Sequence, residues 1–340
     1  MPAPTSPRLA RMFWLHALSS VHVGAGRGVG YIDLPVVREQ VTRWPYIPTS
    51  AVKGVLADRH RAEDCREKLR TQQALSPNEQ LVVAAFGNGG DDSANSGSLI
   101  FADARLVSIP VPSLIGTFAW CTSPLALARL ARDLEAIDGT QLPSIPRLDL
   151  SKAIPAQGVV SGVDVTSAVL LAPAGRVYLL DLDLELVADA AEQANALQWA
   201  ERIASAVFPQ DTEWQRLFCE RFVVLSDTVF NFLTKTATEV RARVRLEDET
   251  KTVARGALWY EESLPAEAIL AGLVACDRVF GAKRSGVASQ PQDLLNKFCA
   301  AGAHSEVQLG GKATVGYGRM RLLFDGATAV PTNAGSGGTP

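Results

Sequence analysis

The sequence predicts an α+β protein, and three observations carry that expectation. Helix-like and strand-like stretches both occur along the whole chain. Several strand-like stretches alternate apolar with charged residues, and one pair of them reads as a hairpin. No internal repeat at a fixed period replaces these elements with a solenoid. With 340 residues, 47% of them hydrophobic, the chain can bury a sizeable core.

Taken in order, the Pro-rich residues 1–10 read as a loose arm, and 12–18 (MFWLHAL) as a buried or half-buried strand in which His16 is a core histidine. A glycine-rich segment follows, then the extended Trp44-Pro45-Tyr46-Ile47-Pro48. Thr49 or Ser50 caps a helix that runs to about Arg70, with Lys53 in its first turn. The helix dipole disfavours a cation there, but free backbone N–H groups and an ammonium together suit a phosphate. Residues 79–86 predict a second helix, 87–97 (GNGGDDSANSG) a surface loop, and 98–109 a strand ended by a proline-marked turn. Residues 124–137 predict an amphipathic helix, and 141–168 an insertion without periodicity. VYLLDLDLEL, within 169–187, predicts one half-exposed strand, and 189–207 a helix. FVVLSDTVFNFL (222–233) reads as strand and turn, and a hairpin over 238–262 follows. On its first strand Arg241, Arg243 and Arg245 share one face, and Val240, Ala242, Val244 and Leu246 the other. Residues 308–322 hold Lys312 among four glycines, then a strand carrying Arg319 and Arg321. The Gly/Thr/Pro/Ser-rich tail 325–340 is expected to be disordered.

The net charge of −3 conceals a segregated distribution. Residues 1–70 hold eleven Lys and Arg against six Asp and Glu, and 278–322 hold seven against two. Residues 131–220 hold six against fourteen. Basic faces at both ends of an acidic chain allow a polyanionic partner. The five cysteines are scattered without a CxxC pair, so neither a disulfide framework nor a zinc site is indicated, which fits a reduced, cytoplasmic protein. No apolar run is long enough for a membrane span.

Two nucleotide motifs fail on spacing. For G-x-G-x-x-G starting at Gly24 or Gly26, the third glycine falls on Val29 or Tyr31. For a P-loop at Gly311-Lys312, the following residue is Ala313 and the first glycine position is Glu306. No G-x-S-x-G supports a serine hydrolase. What remains is two glycine-rich, cation-bearing loops and a basic hairpin, a set suited to holding a polyanion backbone. Asp33 stands out as a lone carboxylate among Tyr31, Ile32, Leu34 and Pro35.

Five stretches then carry a resemblance: HVGAGRGVGYIDLPVVRE (22–39), WPYIPTSAVKGVL (44–56), FGN with GSLIFADARL (86–106), ETKTVARGALWYEESLP (249–265) and LGGKATVGYGRMRL (309–322). Together they resemble the backbone subunit of the type III-B CRISPR effector, the Cmr complex, within the RAMP superfamily. Thr49 departs from the family pattern, which has glycine there. The resemblance implies an RRM-like, ferredoxin-type palm over one domain, 1–324, with inserted fingers, the loop 87–97 and a protruding hairpin thumb at about 235–260. It implies copies stacked along a CRISPR RNA beside other Cmr subunits, cutting a single-stranded target RNA every six nucleotides with Mg²⁺ or another divalent metal. Asp33 matches the principal catalytic acid and a metal-holding position, and His22 and Glu261 match secondary positions. The RNA-binding candidates are Gly24, Gly26, Gly28, Arg38, Lys53, Arg241, Arg243, Arg245, Lys312 and Arg319. A non-catalytic structural RAMP subunit and the type III-A equivalent stay open as alternatives.

Overall fold

The computed structural model describes residues 9–26, 28, 30–60, 68, 71, 73–88, 95–138, 141–148, 157–160, 167–171, 174–280, 290–301 and 305–325. The expected N-terminal arm up to residue 8, most of 61–70, the tip of the 87–97 loop, much of 141–168, Cys65 and the tail from 326 lie outside the described residues.

Strand β1 (Ala10–Ala17) is the centre of the fold. Its odd residues Phe13, Leu15 and Ala17 join one core cluster, and its even residues Met12 and Trp14 join another. Both faces are covered, so the run is apolar without alternation. His16 lies on this strand, 2% exposed, with Nε2 2.6 Å from Glu267 Oε2. After β2 (Tyr46–Ile47) comes helix α1 (Thr49–His60), whose entry is held by Asp103: its Oδ1 accepts from Thr49 N–H at 2.7 Å and from Thr49 Oγ1 at 2.8 Å. Helix α2 (Pro77–Phe86) carries a capping box, Ser76 with Glu79, and Lys68 on Glu79 holds that carboxyl down at about 2. Strands β3 (Gly87–Asn88) and β4 (Asn95–Ser96) pair as the stem of the predicted loop.

Then come β5 (Ile100–Phe101), β6 (Ala104–Pro112) and β7 (Phe118–Thr122). The turn expected after Ile109 is displaced. Pro110 and Pro112 stay within β6, facing Trp120 and Phe118 of β7. Proline is tolerated in a strand wherever the ladder does not need its missing N–H. Helix α3 (Pro124–Asp138) matches expectation, the unpatterned insertion contains β8 (Gln157–Val160), and β9 (Leu170–Leu171) follows it.

The single strand expected in VYLLDLDLEL is two strands, β10 (Arg176–Leu179) and β11 (Leu182–Leu186). Leu179 pairs with Leu182 across a two-residue turn, with Leu180 at φ 50°. The turn moves the inward positions from odd (Val177, Leu179) to even (Leu182, Leu184), but Leu180 at the turn is apolar although 41% exposed, and no glycine or asparagine marks the reversal, so the pattern hides it. Helices α4 (Ala190–Val207, capped by Asp189) and α5 (Thr212–Arg221) precede β12 (Phe222–Leu225). The turn expected in SDTVFNFL is helix α6 (Asp227–Thr236), capped by Ser226 and burying Phe230 and Leu233. Strands β13 (Glu239–Leu246) and β14 (Val253–Ser263) form the predicted hairpin as a separate two-stranded sheet. Strand β15 (Ile269–Ala275), helix α7 (Pro291–Ala301), β16 (Ser305–Gln308) and β17 (Arg319–Phe324) complete the order.

The protein is therefore α+β with one large mixed sheet. Its strands run β16-β17-β1-β15-β6-β7-β12-β8-β11-β10-β9 among the described residues, with β2 and β5 paired at the side. Around β1 the pairing is antiparallel to both β15 and β17. Helices α1, α2, α6 and α7 feed the core on one side, and α3, α4 and α5 the other. Cys121, Cys276 and Cys299 are buried and free, and burial pushes the Cys299 thiol up to about 12. Among the described residues no helix is long and apolar enough to cross a membrane.

Candidate functional site

The glycine-rich segment folds back on itself and docks along β14. Its arms pair through Ala25 N–H to Pro35 O at 3.0 Å and Val37 N–H to Val23 O at 2.8 Å. The residues between them include Gly26 at φ 80° and Gly30 at φ 61°, a left-handed backbone that glycine adopts without strain. The returning arm then adds to β14 as a short parallel bridge, Leu34 beside Glu261. The N–H groups of Asp33 and Leu34 donate to Tyr260 O at 3.2 and 3.1 Å, and Glu262 N–H donates to Leu34 O at 2.9 Å. Asp33 is exposed, and its Oδ2 accepts Tyr260 N–H at 2.8 Å. Oδ1 is uncommitted among the described residues, so the carboxylate is aimed by the strand yet open to solvent. Gly24, Gly26 and Gly28 are exposed too.

His22 approaches β14 two residues further on. It is buried, and its Nδ1 lies 2.7 Å from Glu262 O. A carbonyl only accepts, so Nδ1 carries the proton. The C-terminal glycine loop closes over the same histidine: Gly311 N–H donates to His22 O at 2.9 Å. Gly310, at φ 81°, brings its backbone so close that a Cβ would stand 2.3 Å from that oxygen. Position 310 therefore requires glycine for both its torsion and its space.

Between these contacts, Glu261 points into a knot of cations. It is 5% exposed and accepts from Lys312 Nζ, from Trp259 Nε1 at 2.6 Å and from Arg243 Nε at 3.2 Å. Burial works to raise its pKa, but the bonds from Lys312 and Trp259 and the charge of Arg243 outweigh it, leaving the carboxyl below its ordinary value. The arginine face of β13 turns the same way. Arg243 Nη2 donates to Tyr317 Oη at 3.0 Å, and the guanidinium carbons of Arg241 and Arg243 each lie 5.7 Å from the Tyr317 ring centroid. Arg245, nearer the hairpin tip, is exposed. The opposite hairpin face is apolar and open, with Val244, Leu246, Val253 and Leu258 all exposed.

Asp33, Lys312 and His22, far apart in the chain, thus meet three successive residues of β14: Tyr260, Glu261 and Glu262. Other candidates sit elsewhere. The Arg38 guanidinium is bound to Glu262 and to the carbonyls of Thr234 and Arg43. Lys53 Nζ donates to Leu99 O at 3.3 Å, and the exposed Arg319 pairs with Glu306 at 3.0 Å. Sequence reasoning passed over Glu262, Tyr260 and Tyr317. The adjacent acids Glu261-Glu262 in a strand were the one available signal, because alternation puts one of them on the less exposed face. Among the described residues no group of three or more His, Cys, Asp or Glu converges for a metal.

Comparisons with known proteins bear on this geometry. The family model for the RAMP superfamily matches residues 14–321. A relative from Pyrococcus furiosus, the CRISPR system Cmr endoribonuclease Cmr4, is 29% identical over 323 residues, covering 94% of this chain and 97% of that protein. The Csm3 endoribonuclease of the Cms system in Streptococcus thermophilus is 33% identical over 91 residues, 26% of this chain and 40% of that one. Among solved structures, oligomeric Cmr4 from Pyrococcus furiosus aligns with TM-score 0.66 at 23% identity, covering 94% of this chain and 99% of that one. A chain of the type III-B Cmr-beta complex bound to cognate target RNA aligns with TM-score 0.64 at 20% identity, covering 94% and 98%. With nearly its whole folded length matched by the family model, the chain belongs to the RAMP superfamily.

Proposed function

We propose that this protein is the CRISPR RNA-binding backbone subunit of a cytoplasmic type III-B effector, and that it cuts guide-complementary target RNA at six-nucleotide intervals. The likeness to the Cmr4 endoribonuclease over 94% of the chain supports the role. The observation that carries the chemistry is the Asp33 carboxylate, exposed yet oriented by the Tyr260 N–H at 2.8 Å. In-line attack of a ribose 2′-OH on the adjacent phosphate needs a group that takes the proton while the strand is held in line. Asp33 Oδ1 is free to accept that proton. The same oxygen also suits a hydrated divalent ion sharing its remaining ligands with water and phosphate, since Mg²⁺ is commonly held by one or two carboxylates plus substrate. Such an ion would stabilise charge on the phosphate.

His22 and Glu261 act here as positioning residues. His22 braces the glycine loop against β14, and Glu261 holds Lys312 and Arg243 at the hairpin base. Arg245, Arg319 and the exposed glycine backbone are the surface left for phosphates, a contact indifferent to base sequence. Arg38 ties the loop to Glu262 and to Thr234 from within, and Lys53 is engaged away from β14, on Leu99 O. The fold supports an RRM-like palm: β1, α1, β6, β15, α7 and β17 follow a βαββαβ order, and their strands lie in the sheet as β17-β1-β15-β6. The β13–β14 hairpin is the thumb of this reading.

The test is the assembled complex with guide RNA, Mg²⁺ and labelled target, with and without Asp33→Ala. The variant is expected to bind target normally and yield no periodic ladder. A persisting six-nucleotide ladder would remove Asp33 from the chemistry. A wild-type complex that binds but never cuts would make the subunit a purely structural one.

A further inference from the structure

We infer that Tyr31 and Tyr260 form a stacking corner for one nucleobase of the RNA strand held at Asp33; the inference rests on the nuclease reading above. Tyr31 is 72% exposed, more than any other aromatic side chain among the described residues. Its ring partner is Tyr260, whose centroid is 6.1 Å away with the planes at 83°. The two rings thus make an L, one wall flat and the other edge-on. Tyr260 is itself 36% exposed, and Leu258, two residues earlier on the same face of β14, is 55% exposed. None of these side chains belongs to either core cluster.

Apolar side chains this exposed are stabilised by covering, and the apolar part of an RNA strand is the face of its bases. The corner is also tied to Asp33, by the backbone on one side and by a hydrogen bond to its carboxylate on the other. Tyr31 precedes Asp33 by two residues, and the backbone N–H of Tyr260 is the donor that aims Asp33 Oδ2. A base seated on these rings therefore brings its own sugar and phosphate toward Asp33. Stacking on an aromatic ring tolerates any base, so the corner grips the strand without adding sequence preference to that set by guide pairing. The hydroxyls are not needed for this role, because the ring face does the work. Tyr31 and Tyr260 are positioning residues: they hold the strand and exchange no proton.

The experiment places 2-aminopurine at successive positions of the target across one cutting site, in complexes carrying Asp33→Ala so that the RNA stays whole. At one position beside the cut, fluorescence is expected to be quenched, to rise severalfold with Tyr31→Ala and to stay quenched with Tyr31→Phe. With Asp33 intact, Tyr31→Ala is expected to slow single-turnover cutting at saturating target by roughly tenfold or more, and Tyr31→Phe to restore it. If Tyr31→Ala changes fluorescence at no position, the inference is overturned, whatever Asp33→Ala does to cutting. If Tyr31→Ala instead weakens assembly of the complex with fluorescence unchanged, the corner packs against protein, and the inference is again overturned. Cutting that survives Asp33→Ala would sink the catalytic assignment alone, since the fluorescence comparison does not depend on it.

Discussion

Arg38 Nη2 stands 2.5 Å from Glu262 Oε1, and the pair joins three segments of the chain. Both side chains are withdrawn from solvent, 15% and 3% exposed. The same Glu262 carboxylate accepts from Val36 N–H at 2.9 Å and from Thr238 Oγ1 at 2.9 Å, while Arg38 Nη1 donates to Thr234 O at the end of α6. Loop, helix and hairpin are therefore locked at one buried ion pair, directly behind the strand residues that aim Asp33.

Removing Arg38 leaves that carboxylate buried with its charge uncompensated. Arg38→Met is expected to cost about 3 kcal/mol in urea unfolding. Arg38→Lys should recover only part of this, because one ammonium cannot reach Glu262, Thr234 and Arg43 together. An unchanged unfolding midpoint with weakened RNA binding would instead make Arg38 a direct phosphate contact.

Glu261 supplies a pH dependence. Its folded pKa lies below the ordinary 4.5, so the stabilisation is fully present above that value and is lost as pH falls through the lower folded one. Stability measured from about pH 6 down to pH 3 should therefore drop in the wild type and drop less in Glu261→Gln. At neutral pH the variant should be less stable by about 2 kcal/mol, with the pH–rate profile of cutting keeping its shape. A displaced profile would give Glu261 a direct part in proton transfer.

Gly310→Ala puts a Cβ into the His22 carbonyl at a left-handed torsion. The loop must move to accept it, which separates Gly311 N–H from His22 O. A loss of at least about 1 kcal/mol, read as a fall in Tm of about 1–2 °C per kcal/mol lost in a chain of 340 residues, is expected, with cutting reduced in parallel. Normal stability with normal cutting would show that the loop over His22 is not part of the site.

The three hairpin arginines should separate. Arg245 is exposed, so Arg245→Ala is expected to leave Tm unchanged and to reduce the salt dependence of RNA binding by about one unit of slope. Arg243 is bound to Glu261 and Tyr317, and that contact with Tyr317 and Glu261 raises its pKa. Arg243→Ala should lower stability and RNA binding together. Identical behaviour of the two variants would dissolve the distinction.

Local physics made much of the fold legible. The apolar run of β1, the amphipathic period of α3 and the alternation of the β13–β14 hairpin each depend on neighbours in sequence. Where competing local signals agreed, the sequence misled. The alternation of Leu with Asp and Glu over 180–186 starts inside the Leu180-Asp181 turn and so masks it, and the SDT that opens α6 reads equally as a turn or a cap.

By itself, then, the sequence determined an α+β chain with two glycine-rich basic loops and one suspicious aspartate, Asp33. It could not determine the company those residues keep. Only the tertiary structure brought His22, Asp33 and Lys312 to one three-residue stretch of β14, committed Arg38 and Glu261 to buried ion pairs and set Tyr31 against Tyr260. The reason is physical: these contacts join residues some fifty to more than two hundred positions apart. Whether a charge meets a partner or water depends on which strand edges the sheet leaves open, and no local pattern records that.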